Sequence, residues 1–236
     1  MRGAYPEIRT NSMVDKKLWC SGYIQTYLER DVRQIINIGD LNDFSRFLKL
    51  CAARTAQMLN LSELAKDTGI SVTTAKRWIS ALESSGQIYL LQPYFKNFGK
   101  RVIKTPKLYF LDTALITFLL GLYTDESIIN SIFIGPLMET IIVSEWLKAY
   151  YHRGEAPLIY YWRSRSGLEV DLILERNGKI FPIEIKATST LKTAHASNIV
   201  KWRKLSGIST PGIIFANIKR IMPITKDVKA VPWFVI

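Results

Sequence analysis

Two carboxylates and an amine in the C-terminal half of the chain have the types and spacing to do chemistry. Twelve residues separate Asp171 from Glu184, and Lys186 lies two positions further on. Between the two acids, Asn177-Gly178 joins two runs of alternating residues and is typical of a two-residue hairpin turn, which needs positive φ at both central positions. Counting back from this turn places Asp171 directly opposite Glu184. We therefore expect both carboxylates on one face of a hairpin.

Like charges directly across a strand pair are destabilising, so something must offset the repulsion between Asp171 and Glu184. A divalent cation, Mg²⁺ or Mn²⁺ in its place, would do so if both carboxylates bound it. Lys186 would then polarise an attacking water or stabilise the negative charge that develops during phosphodiester hydrolysis. The alternative is an ordinary amphipathic hairpin that binds no metal, with Glu169 paired to Lys186. Two scattered histidines and two cysteines without CxxC spacing do not indicate a zinc site.

The run Pro182-Ile-Glu184-Ile-Lys186, preceded by Asp171, resembles the restriction-endonuclease-like, or PD-(D/E)xK, nuclease superfamily. The resemblance implies an αβββαβ core in which these three charged residues are catalytic and the two acids bind the metal. It also implies a glutamate from the preceding helix, and Glu139 occupies such a position. The sequence leaves open whether Glu139 faces the acidic pair or solvent.

The turn before the hairpin carries two arginines, Arg163 and Arg165. They either hold a scissile phosphate or pair with Glu155 and Glu169, which is the commoner fate of a surface arginine. Around them we predict a strand at 158–163, a basic helix at 189–205, a buried strand at 211–215 parallel to that of Ile183, and a last strand at 231–236.

A helix-turn-helix pattern occupies the middle of the chain, at 60–86. Ala65 suits the helix crossing, Gly69 permits the tight turn, and Ser71 caps the second helix. The predicted core stripe of that helix is Val72, Ala75, Ile79 and Leu82. The outward residues Thr73, Thr74, Lys76, Arg77 and Ser80 suit phosphates and base edges in a major groove.

Two strand-like runs, 88–91 and 107–110, follow this pattern and complete a winged helix. The loop between them carries Lys100 and Arg101, which would lie along a phosphate backbone. The alternative is a winged helix that contacts only protein, with its basic residues solvated.

Charge points to a polyanionic partner. The chain has 32 Lys and Arg against 20 Asp and Glu, a net charge of +12 and an isoelectric point near 9.7, so DNA is the expected partner. No segment reaches the length of about 18 apolar residues typical of a spanning helix, so we expect no membrane partner. The N-terminus lacks the apolar centre of a secretory signal, and the cysteine pattern favours a reducing compartment. We therefore expect a cytoplasmic protein.

The remaining N-terminal pattern predicts a loop at 1–12, helices at 14–38, 41–59 and 112–121, and a bridge at 124–133 that ends at Gly135-Pro136. That dipeptide is the predicted domain boundary. The predicted fold class is therefore α/β, and α+β overall. A helical region at 1–134 contains the winged helix at about 60–112, and a nuclease-like domain with a mixed sheet occupies 135–236.

Four stretches together, 27–33, the helix-turn-helix, 107–112 and 162–186, resemble the uncharacterised C-terminal half of bacterial and archaeal AAA-type ATPases. The resemblance covers nearly the entire chain and implies a nucleotide-binding domain elsewhere. The G-x-x-x-x-G-K-[ST] loop is absent from this sequence, so the chain itself should not bind ATP. Two functions stay open: a DNA-binding region whose nuclease-like domain cleaves DNA with a divalent metal, or a non-catalytic DNA- or protein-binding regulatory module. The sequence does not decide whether the chain is an enzyme.

Overall fold

The computed structural model describes residues 3–27, 41–95 and 103–235. The fold is mixed α and β, as predicted, with a three-stranded and a six-stranded sheet. The chain divides into two compact units. The helical unit contains Met1–Leu90 and Leu108–Thr140, and the sheet unit contains Leu91–Lys107 and Ile141–Ile236.

The first elements of the chain are mostly helices. They are α1 (Pro6–Thr10), α2 (Lys16–Thr26), α3 (Leu41–Ala53), β1 (Gln57–Met58), α4 (Leu61–Thr68), α5 (Val72–Ser84), β2 (Ile88–Leu91), β3 (Lys107–Phe110), α6 (Thr113–Leu119), α7 (Asp125–Ile129) and α8 (Ile134–Tyr151).

Several predicted boundaries in this region were wrong. Residues 6–10, expected as loop, form α1, because Pro6 supplies the φ angle of a first helical turn and Ile8 is fully buried. Helix α2 begins after its cap Asp15, and the predicted continuation to residue 38 lies outside the described residues beyond residue 27. Helix α3 ends at Ala53 rather than residue 59, since Ala56 adopts a φ of 62° before the short strand β1.

The predicted helix-turn-helix is confirmed in α4 and α5. Gly69 follows α4 with a φ of 86°, and the Ser71 side chain accepts the backbone N–H of Thr74 at the start of α5. Trp78 packs edge-on against two phenylalanines of α3, with ring centroids 5.0 and 5.2 Å apart. One core residue was wrong: Val72 is 48% exposed, because it lies in the first turn of α5, and Trp78 is buried in its stead.

A small sheet of order β1-β3-β2 follows the two helices. The two helices followed by β2 and β3 are in the order predicted for a winged helix, whereas the short strand β1 was not predicted. Lys100 and Arg101, predicted for the wing, lie outside the described residues.

The predicted bridge between the two halves is partly helical. Thr124 and Ser127 cap each other at the start of α7, so residues 125–129 form a helix that the sequence pattern did not indicate. Helix α8 begins at Ile134, and Gly135-Pro136 therefore lies in its first turn, where proline is tolerated.

The later elements build the large sheet. They are β4 (Ile159–Arg163), β5 (Glu169–Arg176), β6 (Lys179–Lys186), a 3₁₀ turn (Thr193–Ala196), α9 (Ser197–Ser206), β7 (Gly212–Ala216), β8 (Met222–Thr225), β9 (Val228–Pro232) and a last 3₁₀ turn (Trp233–Val235).

The strand order of this sheet is β4-β5-β6-β7-β9-β8. Strands β4, β5 and β6 are antiparallel, and β7 runs parallel to β6 as predicted. Helix α8, three strands, α9 and β7 therefore follow the predicted αβββαβ order. The last strand was placed too late: β9 ends at Pro232 and pairs with β8, which the sequence pattern did not indicate.

Helix α9 lies close to the sheet. A Cβ added at Gly212 in β7 would come within 2.3 Å of the Ile199 side chain, so only glycine allows this approach. Trp202 of α9 meets Trp162 of β4 edge-on, with ring centroids 6.5 Å apart. Across the three described ranges, no helix is long and apolar enough to cross a membrane.

Candidate functional site

The turn between β5 and β6 has the predicted geometry. Asn177 and Gly178 adopt φ angles of 52° and 69°, as a type I′ turn requires. The paired residues run from Arg176 opposite Lys179 to Leu172 opposite Ile183. This confirms the predicted register up to the position just before the two acids.

A β-bulge changes the pairing at Asp171. Between the pairs Tyr160/Ile173 and Trp162/Val170, the β5 strand has one more residue than β4, so that Leu172 and Asp171 share one partner position. Bulges re-aim side chains and often lie next to active sites. Here Oδ2 of Asp171 accepts the backbone N–H of Ile185 at 2.8 Å. The Asp171 side chain therefore bonds the backbone N–H of Ile185, a residue of β6. The predicted pairing of Val170 with Ile185 is not among the pairs of β5 and β6.

Lys186 joins the two acids. Its Nζ lies 2.5 Å from Oε2 of Glu184 and 3.4 Å from Oδ2 of Asp171. Both carboxylates therefore lie within reach of one ammonium group. We call Asp171, Glu184 and Lys186 the acid–lysine cluster. The alternative pairing of Lys186 with Glu169 was wrong, because the aliphatic stem of Lys186 turns its ammonium toward the two acids instead.

The cluster is largely shielded from water. The side chains of Glu184, Asp171 and Lys186 are 1%, 15% and 29% exposed. Burial acts to lower the pKa of Lys186, but the charges and hydrogen bonds of Asp171 and Glu184 outweigh burial and raise that pKa above its ordinary value. Lys186 is therefore a cation at neutral pH. It offsets much of the repulsion for which the sequence suggested a metal ion.

A second charged group surrounds Glu169. Oε1 of Glu169 lies 2.6 Å from Nζ of Lys107, and Oε2 lies 2.8 Å from Nη1 of Arg163. The Lys107 side chain is 4% exposed and its ammonium lies 5.4 Å from the centroid of the Tyr161 ring. The sequence left two roles open for Arg163, and the structure contains one of them, the ion pair with Glu169. Lys107 was missed, because no local pattern links a β3 residue to a carboxylate so distant in sequence.

Among the described residues, Arg165 and Glu155 do not form the ion pairs that the sequence suggested for them. Arg165 is exposed, and in the part of the chain that the structure describes it forms no ion pair. Glu155 pairs with Arg153 at 3.1 Å rather than with an arginine of the turn.

Glu139 lies in the helical unit on α8, where it is half-buried. The hydroxyl of Tyr109 donates a hydrogen bond to its Oε1. Among the described residues, no group of three or more His, Cys, Asp or Glu side chains could hold a metal ion. A metal ion bound by Asp171 and Glu184 would therefore have two carboxylates as its ligands from the described part of the protein.

The outward face of α5 carries the predicted nucleic-acid contacts. Thr73, Lys76, Arg77 and Ser80 are exposed, whereas Thr74 is half-buried with its hydroxyl 2.8 Å from that of Ser71. Within the described ranges, neither Lys76 nor Arg77 has an ion-pair partner. This face therefore presents to solvent two cations with no ion-pair partner among the described residues, and two hydroxyls.

These features define a protein with a helix-turn-helix unit and a mixed-sheet unit that carries paired acids. The chain belongs to the family described as "Domain of unknown function (DUF8612)", which matches residues 1–126. Residues 134–235 match a second family, "Domain of unknown function (DUF4143)".

Two mycobacterial relatives are similar over most of the chain. They are the uncharacterized proteins Mb2031c of Mycobacterium bovis and Rv2008c of Mycobacterium tuberculosis, each 34% identical over 188 residues. The aligned region covers 80% of this chain and 42% of each relative. The chain thus spans less than half the length of the curated relatives it matches.

Proposed function

We propose that this chain is the DNA-binding region of a longer AAA-type ATPase-like protein and that α5 contacts the duplex. The observation that carries the proposal is the outward face of α5, with Thr73, Lys76, Arg77 and Ser80 all exposed. In helix-turn-helix proteins the second helix lies in the major groove and its outward side chains reach base edges and phosphates. Helix α5 is the second helix of such a pair.

Electrostatics supports the same proposal. Lys76 and Arg77 form no ion pair with any described residue, so their charges are free to replace counterions on phosphates. The net charge of +12 adds long-range attraction to any polyanion.

A binding assay with matched variants tests this role. Lys76→Gln/Arg77→Gln should weaken binding to a labelled duplex and reduce the slope of log K against log salt by about 1.8, at about 0.9 per lost phosphate contact. Lys219→Gln/Lys226→Gln removes the same charge from exposed lysines elsewhere and serves as the control. Equal behaviour of the two double variants would refute a role for α5.

The larger context rests on resemblance. The likeness to the C-terminal half of AAA-type ATPases, and the relatives of more than twice the matched length, support a partner ATPase domain in the same protein. The proposal includes a cytoplasmic location, where the two free cysteines would stay reduced.

A second candidate function is metal-dependent cleavage of DNA. It is favoured by the acid–lysine cluster, in which two carboxylates and an ammonium converge. Mg²⁺ often binds through one or two carboxylates and completes its shell with water and substrate phosphates. Asp171 and Glu184 fit that mode of binding, and Mn²⁺ would substitute.

In this candidate function the residues have separate roles. Asp171 and Glu184 would hold the metal, which when bound supplies a Lewis acid and an activated water. Lys186 would donate a hydrogen bond to a phosphate oxygen and stabilise the charge that develops there. The N–H of Ile185 holds Asp171 in place, since it already donates to Oδ2 of that residue.

Cleavage is tested with near-isosteric neutral variants. If the cluster is catalytic, nicking of supercoiled plasmid in Mg²⁺ or Mn²⁺ should disappear in Asp171→Asn and in Glu184→Gln while duplex binding persists. Intact plasmid after incubation of the wild type with either metal would instead identify a non-catalytic binding module. That outcome is favoured by one feature, the ammonium of Lys186 already between the acids.

A further inference from the structure

A cleft of about 640 Å³ opens in the sheet unit, and its described lining residues include none of α5 and none of the acid–lysine cluster. One wall is the turn Ser166–Leu168, which precedes β5. The other wall is α9, through Asn198, Lys201, Lys204 and Leu205. Its volume is in the range of about 300–1,000 Å³ that ligand-binding clefts occupy.

The cleft is positively charged. Lys201 and Lys204 are exposed, and neither forms an ion pair within the described part of the chain. Arg203 of the same helix is engaged elsewhere, since it pairs with Asp227 at 3.1 Å and donates to the Ser209 carbonyl at 2.9 Å. Among the described residues that line the cleft none is acidic, so the two lysines dominate its potential.

The remaining wall groups suit a phosphate ester. Leu168 and Leu205 form an apolar floor that packs on the cluster around Trp162 and Trp202. Ser166 and Asn198 add a hydroxyl and an amide to the lining. Gly167 has a φ of 89° and nothing within 4 Å of where a Cβ would lie, so the turn leaves its side of the cleft open.

We propose that this cleft binds the phosphate backbone of a nucleic-acid strand. The inference rests on the proposed DNA-binding function and adds a second contact surface to it. Lys201 and Lys204 are three residues apart on a helix, which places their Cβ atoms about 5–6 Å apart on one face. Both ammonium groups thus address neighbouring phosphates of one strand. Ser and Asn side chains commonly complete such backbone contacts.

Two features favour a phosphate backbone over stacked bases or an acidic peptide as the ligand. None of the lining residues that the structure describes is aromatic, so they offer no platform for base stacking and suit contact with the backbone only. Carboxylates of an acidic peptide are best matched by the planar fork of arginine, but the arginine of α9 is already paired with Asp227. The cations of the cleft that have no ion-pair partner among the described residues are lysines. Lysine binds phosphate as a point charge.

The test compares three double variants in binding to a single-stranded oligonucleotide and to a duplex over a salt series. Lys201→Gln/Lys204→Gln should bind more weakly than wild type. Its slope of log K against log salt should fall by about 1.4 for the single strand or about 1.8 for the duplex. Lys219→Gln/Lys226→Gln is the charge-matched control, and Lys76→Gln/Arg77→Gln reports the α5 surface. All six residues are exposed, and thermal unfolding checks that each variant is folded.

Protection from an amine-reactive reagent gives an independent readout. Bound nucleic acid should protect Lys201 and Lys204 but not Lys219 and Lys226. The inference is overturned if the cleft variant behaves like the control and its lysines stay reactive, even while the α5 variant loses binding and the proposed function stands. It is also overturned if polyglutamate, but not nucleic acid, protects them. Absence of any binding by wild type would overturn both.

Discussion

Replacement of Lys186 by methionine tests the electrostatics of the acid–lysine cluster. The change keeps most of the stem of Lys186 and removes the ammonium that lies 2.5 Å from Glu184 and 3.4 Å from Asp171. Glu184, 1% exposed, then remains buried beside a second carboxylate and has lost the ammonium of Lys186. Removing one partner of a buried ion pair costs about 3–5 kcal/mol. Because Lys186 is 29% exposed and water screens part of the loss, we expect the lower end, about 3 kcal/mol.

Urea unfolding measures this loss. Lys179→Met, at an exposed lysine of the same hairpin, is the control and should change the free energy of unfolding by less than about 0.5 kcal/mol. In the double variant Glu184→Gln/Lys186→Met the buried charge is gone, so the loss should shrink to about 1 kcal/mol, the size of a lost hydrogen bond. A Lys186→Met protein as stable as the control would refute the reasoning. So would a double variant no more stable than the single one.

Three further predictions concern other parts of the molecule. Since the pKa of Lys186 is raised in the fold, its contribution to stability should be complete below its ordinary value of 10.5 and decline as pH rises through the folded value; urea unfolding of wild type and Lys186→Met at pH 7 to about 11 measures this. Glu169→Gln removes the carboxylate beside buried Lys107 and should destabilise the sheet unit by about 3 kcal/mol in urea, and an unchanged midpoint would contradict that ion pair. Trp78→Ala should destabilise the helical unit by about 3–5 kcal/mol, whereas Val72→Ala at an exposed position should cost under about 1 kcal/mol in the same assay.

The hairpin could be predicted because its causes are local. Asn177-Gly178 specifies a turn of two residues, and the turn alone fixes the register as far as Leu172 and Ile183. The proximity of Asp171 to Glu184 followed from counting. Helix α5 was similarly predictable. Gly69 ends the helix before it with a positive φ, and the Ser71 side chain caps the first turn of α5.

The contacts that define the site were not local. The bulge at Asp171 lies in the pairing of β5 with β4, outside the hairpin, and at the same residue Oδ2 accepts the N–H of Ile185. Lys107, which pairs with Glu169, comes from β3, outside the hairpin. A single sequence contains no signal for such long-range partners.

Helical periodicity also left a choice that packing decides. Val72 and Trp78 both continue the stripe of Ala75, Ile79 and Leu82 within the tolerance of a helix. The indole of Trp78 packs on two phenylalanine rings of α3, whereas Val72 lies in the first turn of α5 and is 48% exposed.

The most direct test of the proposed DNA-binding function is the affinity of the wild-type chain for duplex DNA at increasing salt. If Lys76 and Arg77 both contact phosphates, the slope of log K against log salt is about −1.8 or steeper. A slope of about −1.8 corresponds to roughly a tenfold loss of affinity between about 50 and 200 mM salt. An affinity that does not change with salt, or no binding at 50 mM salt, would contradict the account.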